Sequence, residues 1–210
     1  MELDQAVIVI GPPKHGKTTI GRELVKAHLE KYPTGIALVH DTNRQFTDLC
    51  RWTGSVAACR ANVTAARREK KPIARGWAFG GESTPVSELA AELGQLHNRA
   101  DDVRVPILLV YDETSMMESS GSTHIAQIDL RINANRRHWG IAPVYNLQRP
   151  TALTEAFYTM STDVYVFAQP SERRTRVLEE YLGLADGRLA RLVGAGKYTH
   201  AHWRQGEGLV

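Results

Sequence analysis

Short apolar runs alternate with longer amphipathic stretches along most of the chain. Runs rich in β-branched residues predict buried strands, and apolar positions three or four residues apart predict helices with one buried face. The predicted strands cover residues 6–10, 35–40, 55–59, 105–111, 141–147 and 163–168. The predicted helices cover residues 17–31, 43–51, 84–99, 122–139, 150–160 and 172–182. This alternation favours an α/β fold, in which helices cover a mainly parallel sheet of about five core strands.

Two stretches are less regular. Residues 60–83 combine a basic run with three glycines and predict no clear element, whereas residues 188–193 and 197–204 predict a small β-ribbon or an edge strand. We interpret the 210 residues as one domain, with a core at 5–170 and a C-terminal helix and β tail at 171–210.

The composition is that of a soluble globular protein rather than a disordered, membrane-spanning or secreted one. Hydrophobic residues make up 42% of the chain and charged residues 23%, which is typical of a soluble globular protein and excludes a long disordered chain. No apolar run approaches the ~20 residues that span a bilayer, and residues 1–5 carry two acids and no basic region, so no secretory signal is expected. Cys50 and Cys59 lack metal-type partners and are predicted to be reduced thiols of a cytoplasmic protein.

The most specific motif follows the first predicted strand and precedes the first predicted helix. It fits the pattern G-x-x-x-x-G-K-[ST], which binds nucleotide phosphates in this context. Its residues, with the next threonine, are Gly11, Pro12, Pro13, Lys14, His15, Gly16, Lys17, Thr18 and Thr19. Backbone N–H groups of such a loop point at phosphate oxygens, Gly16 allows their close approach, and the two prolines shape the loop. We expect Lys17 to reach the β- and γ-phosphates of ATP and the Thr18 hydroxyl to ligate Mg²⁺.

A second motif places two acids directly after an apolar strand. Asp112 and Glu113 follow residues 107–111, and ligands in such sheets bind at the carboxyl ends of strands. Asp112 is then expected beside Thr18, where it binds Mg²⁺ through water, and Glu113 is expected to polarise the attacking water. Two adjacent acids with separate roles favour hydrolysis of the γ-phosphate over transfer to a small molecule.

A third motif joins a basic helix end to an apolar strand that ends in Gln148. If that strand lies between the phosphate-loop strand and the strand of Asp112, Gln148 faces the γ-phosphate. An amide there orients water and senses hydrolysis. Arg136 or Arg137, in the preceding helix end, projects to the nucleotide of the next subunit, or simply complements the helix dipole.

These three motifs, in this order, resemble the FtsK–HerA superfamily of additional-strand P-loop ATPases. The matching residues are Lys17, Thr18, Asp112, Glu113, Gln148 and one of Arg136 and Arg137. The resemblance implies a three-layer, RecA-like P-loop NTPase fold that binds ATP and Mg²⁺ and assembles as a hexameric or pentameric ring. Within the superfamily, the chain is most similar to the genome-packaging ATPases of membrane-containing icosahedral viruses.

The same resemblance implies a motor that pumps double-stranded DNA into a capsid. Partners would then be duplex DNA and a capsid or membrane-vertex protein, in the host cytoplasm or at a packaging vertex of the virion. Residues 60–75 carry six basic residues and one acid, and phosphate contacts from them would weaken with salt. The candidate DNA contacts are Arg67, Arg68, Lys70, Lys71 and Arg75, and a second basic cluster is Arg173, Arg174 and Arg176.

Three alternatives remain open at this point. A small-molecule kinase would use the same phosphate loop but would need an acceptor pocket and would leave Gln148 without a clear role. An assembly or secretion ATPase of the same superfamily would share every motif and act on single-stranded DNA or protein. A nucleotide-gated DNA-binding module would need only the first acid of the Asp112–Glu113 pair.

Overall fold

A computed structural model describes residues 5–53, 55–68, 76–81, 83–99, 105–112, 123–185, 187–192 and 198–210. Its strands are β1 (Val7–Ile10), β2 (Ile36–His40), β3 (Arg51–Thr53), β4 (Gly76–Phe79), β5 (Ile107–Tyr111), β6 (Ile141–Leu147), β7 (Asp163–Phe167), β8 (His200–Arg204) and β9 (Gly208–Leu209). Its α-helices are α1 (Lys17–Lys31), α2 (Val56–Arg68), α3 (Thr84–Arg99), α4 (Thr123–Trp139), α5 (Glu155–Met160), α6 (Glu172–Tyr181) and α7 (Arg188–Leu192).

The strands form one sheet in the order β3-β4-β2-β5-β6-β1-β7-β8-β9. All pairings from β3 to β7 are parallel, and β8 and β9 add an antiparallel edge. Every residue of β1, β2, β5 and β6 is buried, as parallel strands covered on both faces require. The structure confirms the predicted α/β fold, with an antiparallel C-terminal edge.

Helices pack on both faces of the sheet and make three layers. On one face, α1 contributes Val25 to a core that includes Val9 and Val144. On the opposite face, α3, α4 and α6 bury residues such as Leu89, Ile132 and Leu178 against the sheet. The face covered by α1 also holds the candidate site, because the loop that connects β1 to α1 crosses the end of the sheet there.

Two predicted elements between residues 43 and 59 are wrong. The predicted helix 43–51 is a series of turns, because the Asp41 carboxylate accepts the backbone N–H groups of Gln45 and Phe46 at 2.9 Å each. The predicted strand 55–59 is the start of α2, where Cys59 and Val63 are buried one helical turn apart. The strand in this region is β3, which begins four residues before the predicted strand and pairs with β4.

The remaining differences concern strand number and the C-terminal half. The parallel part of the described sheet has seven strands rather than about five, since β3 and β4 extend it at one edge. The predicted helix 150–160 consists of a 3₁₀ turn at Pro150–Ala152 and the separate helix α5. Residues 188–192 form α7 instead of a strand, whereas 200–204 form the predicted edge strand.

Cys50 and Cys59 are both buried and free, and burial raises the pKa of each thiol to about 12. Both thiols are therefore protonated at neutral pH. None of the helices that the structure describes has the length and apolar character that crossing a bilayer requires.

Candidate nucleotide site

The loop between β1 and α1 has the backbone of a phosphate cradle. Gly16 precedes the first turn of α1 with φ +103°, and Lys14 adopts φ 62°, both in the left-handed region. Residues 17–20 carry no acidic side chain, so the positive end of the α1 dipole faces the loop without a competing carboxylate. The Gly11 N–H donates to the Leu147 carbonyl at 3.0 Å, which joins the start of the loop to β6.

The ammonium group of Lys17 lies over this loop. Lys17 is only 8% exposed, and its Nζ donates to the carbonyl oxygens of Gly11 and Pro12 at 2.8 Å each. The positive charge of Lys17 therefore lies at the start of the phosphate loop. An anion that enters the loop meets a positive charge, the α1 dipole and backbone N–H groups at one place. Lys14 and Thr19 are exposed, and His15 is half-buried, with its Nδ1 donating to the Pro13 carbonyl at 2.9 Å.

A hydroxyl, a carboxylate and an amide meet beside the loop. The Thr18 hydroxyl donates to Asp112 Oδ1 at 2.9 Å, and the Asn146 Nδ2 amide donates to the same oxygen at 2.9 Å. Asp112 is 5% exposed and follows β5, whereas Asn146 belongs to the neighbouring β6. Hydroxyl and carboxylate oxygens are the ligands that Mg²⁺ prefers, so Thr18 and Asp112 fit a magnesium ion carried by nucleotide phosphates.

The position of β6 meets the condition set for Gln148. β6 pairs with β5 on one side and with β1 on the other, so it lies between the strand of Asp112 and the strand of the phosphate loop. Gln148 directly follows β6 and is half-buried. It is adjacent in sequence to Leu147, the residue whose carbonyl binds Gly11. Its amide therefore lies at the end of the strands where the phosphate loop is found.

The two candidate arginines lie near the start of β6, at the opposite end of this strand from Gln148. They occupy the last turn of α4, which precedes β6, so the seven residues of β6 separate them from Gln148. At ~3.3 Å per residue, this separation is about 20 Å. Arg136 is half-buried and its guanidinium donates to the Asn133 carbonyl at 2.8 Å, whereas Arg137 is exposed. Neither arginine reaches the phosphate loop of its own chain.

A buried polar network lies behind Asp112, on the other face of the sheet. The Tyr111 hydroxyl donates to Asp129 Oδ1 of α4 at 2.7 Å, and the Ser87 hydroxyl of α3 lies 2.6 Å from the Tyr111 hydroxyl. The Tyr111 and Tyr145 rings stack at 5.2 Å, which links β5 to β6. Burial raises the pKa of Asp129 from 3.8 to about 7. The network ties the strand of Asp112 to the helix that carries the arginines.

Several predicted site residues fall outside this description. Glu113, Lys70, Lys71 and Arg75 lie outside the described residues, and Arg67 and Arg68 end α2 without a description of their side chains. Arg60, at the start of the basic run, is bound to a neighbouring helix, since its Nη2 lies 2.7 Å from Glu92 Oε2. The second basic cluster lies on α6, where Arg173 and Arg176 are exposed and Arg174 is half-buried.

Two features of the site were missed by sequence reasoning. Asn146 of β6 precedes Gln148 by two residues, and this spacing was a signal for a second amide on the same face of the sheet. On the other side of β1, the ring atoms of Phe167 and Tyr198 lie 3.5 Å from the position that a Gly16 Cβ would occupy. The contact between Tyr198 and the loop is formed by residues far apart in sequence, and no local pattern signals it.

No protein-family model matches the sequence, and no curated protein matches it either. Solved structures do match. The chain is similar to the genome packaging NTPase B204 from Sulfolobus turreted icosahedral virus 2, with TM-score 0.70 and 14% identity for the sulfate complex, covering 99% of this chain and 94% of that chain. For the AMPPCP complex of the same protein the values are 0.69 and 16%, over 97% and 94%.

The chain is also similar to the cytoplasmic domain of the Thermomonospora curvata type VII secretion ATPase EccC. This match has TM-score 0.60 and 17% identity, and it covers all of this chain but only 25% of that chain. The present chain therefore spans about a quarter of the EccC structure. Together, these matches confirm that the chain has the P-loop ATPase-like fold expected from its three motifs.

Proposed function

We propose that this protein is an ATP-hydrolysing DNA translocase, which acts as a homo-oligomeric ring and pumps double-stranded viral DNA into a capsid. One observation carries the ATPase part: Thr18 and Asp112 meet at 2.9 Å beside the phosphate loop, with β6 and its Gln148 inserted next to them. This arrangement provides an anion cradle, two oxygen ligands for Mg²⁺ and an amide at one edge of the sheet.

Each residue then has a separate task. Lys17 would exchange the loop carbonyls for the β- and γ-phosphates. The Thr18 hydroxyl would hold Mg²⁺ directly and Asp112 would hold it through water, and the ion would neutralise phosphate charge. Asn146 fixes the orientation of the Asp112 carboxylate through its 2.9 Å hydrogen bond. Glu113 accepts a proton from the attacking water, and Gln148 orients that water and responds to loss of the γ-phosphate.

The placement of the arginines supports a ring. Because the length of β6, about 20 Å, separates both from Gln148, either arginine could stabilise a transition state only at the site of a neighbouring subunit. We assign this role to Arg137 because its side chain is exposed, whereas that of Arg136 is half-buried.

The fold and the charge of one segment support the DNA and capsid partners. The fold resembles B204, a genome packaging NTPase, over nearly the full length of both chains. The basic residues 67–75 are the proposed DNA contacts, and a motor of this kind would work in the host cytoplasm or at a packaging vertex of the virion.

The first test is steady-state ATP hydrolysis with and without long duplex DNA, with Glu113→Gln as the blank. The proposal requires hydrolysis that duplex DNA stimulates and that the variant abolishes. Hydrolysis that appears only with a small-molecule phosphate acceptor would identify a kinase instead. Stimulation by protein or single-stranded DNA, but not by duplex DNA, would favour the secretion-type ATPase that the EccC match also suggests.

Mixed rings test the assignment of Arg137. Arg137→Ala keeps an intact site but lacks the finger, and Glu113→Gln supplies the finger but cannot hydrolyse ATP. We expect each variant alone to be inactive and the mixture to regain part of the activity, because some interfaces then combine both functions. Arg136→Ala is the matched control and should retain turnover. Failure of the mixture to regain activity would contradict an arginine supplied in trans.

A further inference from the structure

If the γ-phosphate lies on one side of the phosphate loop, the nucleoside has to lie on the other side. The γ-phosphate end is set by Asp112 and Gln148, on the side of β1 where β6 and β5 lie. β1 has only β6 and β7 as neighbours. A triphosphate that runs across the start of α1 therefore places its ribose and base over β7 and β8.

An exposed aromatic side chain stands at that place. Tyr198 lies just before β8, is 69% exposed, and its Cδ1 is 3.5 Å from the Cβ position of Gly16. Phe167 supports the same spot from β7, with ring atoms also at 3.5 Å, but it is only 2% exposed and offers no surface. His200 packs on Phe167 with ring centroids 5.2 Å apart and is itself exposed.

We propose that Tyr198 is the nucleobase platform of this site and stacks on the purine ring of the bound nucleotide. The inference rests on the proposed ATPase function, which requires a nucleotide at the loop. Stacking on a planar ring favours purines over pyrimidines because the purine presents the larger face. Tyr198 thus determines which nucleotide is preferred. This role is the same whether the ATPase acts on DNA or on protein.

The test measures nucleotide affinity by calorimetry in a Glu113→Gln background, which blocks turnover. The probes are ATP, GTP, CTP, UTP and inorganic tripolyphosphate, which has the phosphates without the nucleoside. We expect Tyr198→Ala to weaken ATP binding about tenfold, from the usual strength of base–aromatic stacking, and to reduce the preference for purines. Tripolyphosphate affinity should not change, and Tyr198→Phe should bind ATP like the parent.

Control variants separate the possible failures. Leu96→Ala removes another exposed apolar side chain, on α3, and should leave every affinity unchanged. Unchanged ATP affinity in Tyr198→Ala would overturn the inference. If the variant also fails to assemble into rings, Tyr198 would be a subunit contact instead of a nucleobase platform. Equal loss of ATP and tripolyphosphate affinity would overturn it as well, since the loop itself would be disturbed. If the parent binds neither probe, or if Lys17→Ala binds both like the parent, the proposed function fails first.

Discussion

Asp129 keeps its proton in the folded chain from acid pH up to about pH 7, and the stability of the protein should therefore depend on pH. Burial raises its pKa from 3.8 to about 7, and its Oδ1 accepts the Tyr111 hydroxyl at 2.7 Å. The unfolded chain ionises this carboxyl above pH 3.8, whereas the folded chain keeps the proton until about pH 7. Its contribution to stability is therefore complete below the lower value and is lost as the pH rises through the higher one.

The pKa difference sets the magnitude. The interval from 3.8 to about 7 corresponds to about 4 kcal/mol of unfolding free energy lost between acid and neutral pH. Asp129→Asn keeps the shape of the side chain and an acceptor for Tyr111, but it cannot ionise. We therefore expect the variant to gain stability relative to the wild type as the pH rises from about 4 to about 8.

Urea unfolding followed by tryptophan fluorescence at several pH values measures this difference. Asp48→Asn is the matched control, because the Arg22 guanidinium lowers the pKa of this exposed carboxyl, so the trend with pH has the opposite sign. A difference between wild type and Asp129→Asn that stays constant from acid to neutral pH would refute the assignment of a neutral buried carboxyl.

Three further predictions concern the site and its surroundings. Asn146→Ala removes the amide that positions Asp112 and should reduce Mg²⁺-dependent hydrolysis about tenfold or more, measured as a higher Mg²⁺ requirement; an unchanged requirement would contradict that role. Gly11→Ala places a Cβ 2.6 Å from the Phe167 Cβ and should lower unfolding free energy by roughly 1–3 kcal/mol; thermal melting checks this, and an unchanged midpoint would show that the strand adjusts freely. Glu179→Ala removes the carboxylate that accepts the backbone N–H groups at the start of α7 and should cost about 1–3 kcal/mol, with proteolysis near α7 as a second readout; equal resistance to protease in both proteins would argue against it.

Local patterns predicted the elements that carry the phosphate chemistry. α1, α3 and β6 begin and end at the predicted residues, because an apolar periodicity and a glycine or proline boundary mark each of them. The order of β5, β6 and β1 meets the condition that the third motif set for Gln148. In these elements, local preference and tertiary packing favour the same structure.

Predictions failed where tertiary contacts outweighed local signals. The turns at 43–50 depend on the Asp41 carboxylate, which takes up two backbone N–H groups that a helix would have used otherwise. The ion pair between Arg60 and Glu92, thirty-two residues away on the neighbouring helix, had no local signal either, and DNA binding by the basic run stays a prediction. The contact of Tyr198 with the loop likewise depends on where β8 joins the sheet.

ATP-driven movement along duplex DNA is the central claim, and triplex displacement measures it directly. A translocating motor strips a fluorescent third strand from a duplex as it passes, so release reports movement rather than hydrolysis. We expect third-strand release that requires ATP and Mg²⁺ and disappears in Glu113→Gln. Release should take longer when more duplex separates the starting point from the third strand. ATP hydrolysis without any strand release, in the presence of a duplex that the protein binds, would contradict it.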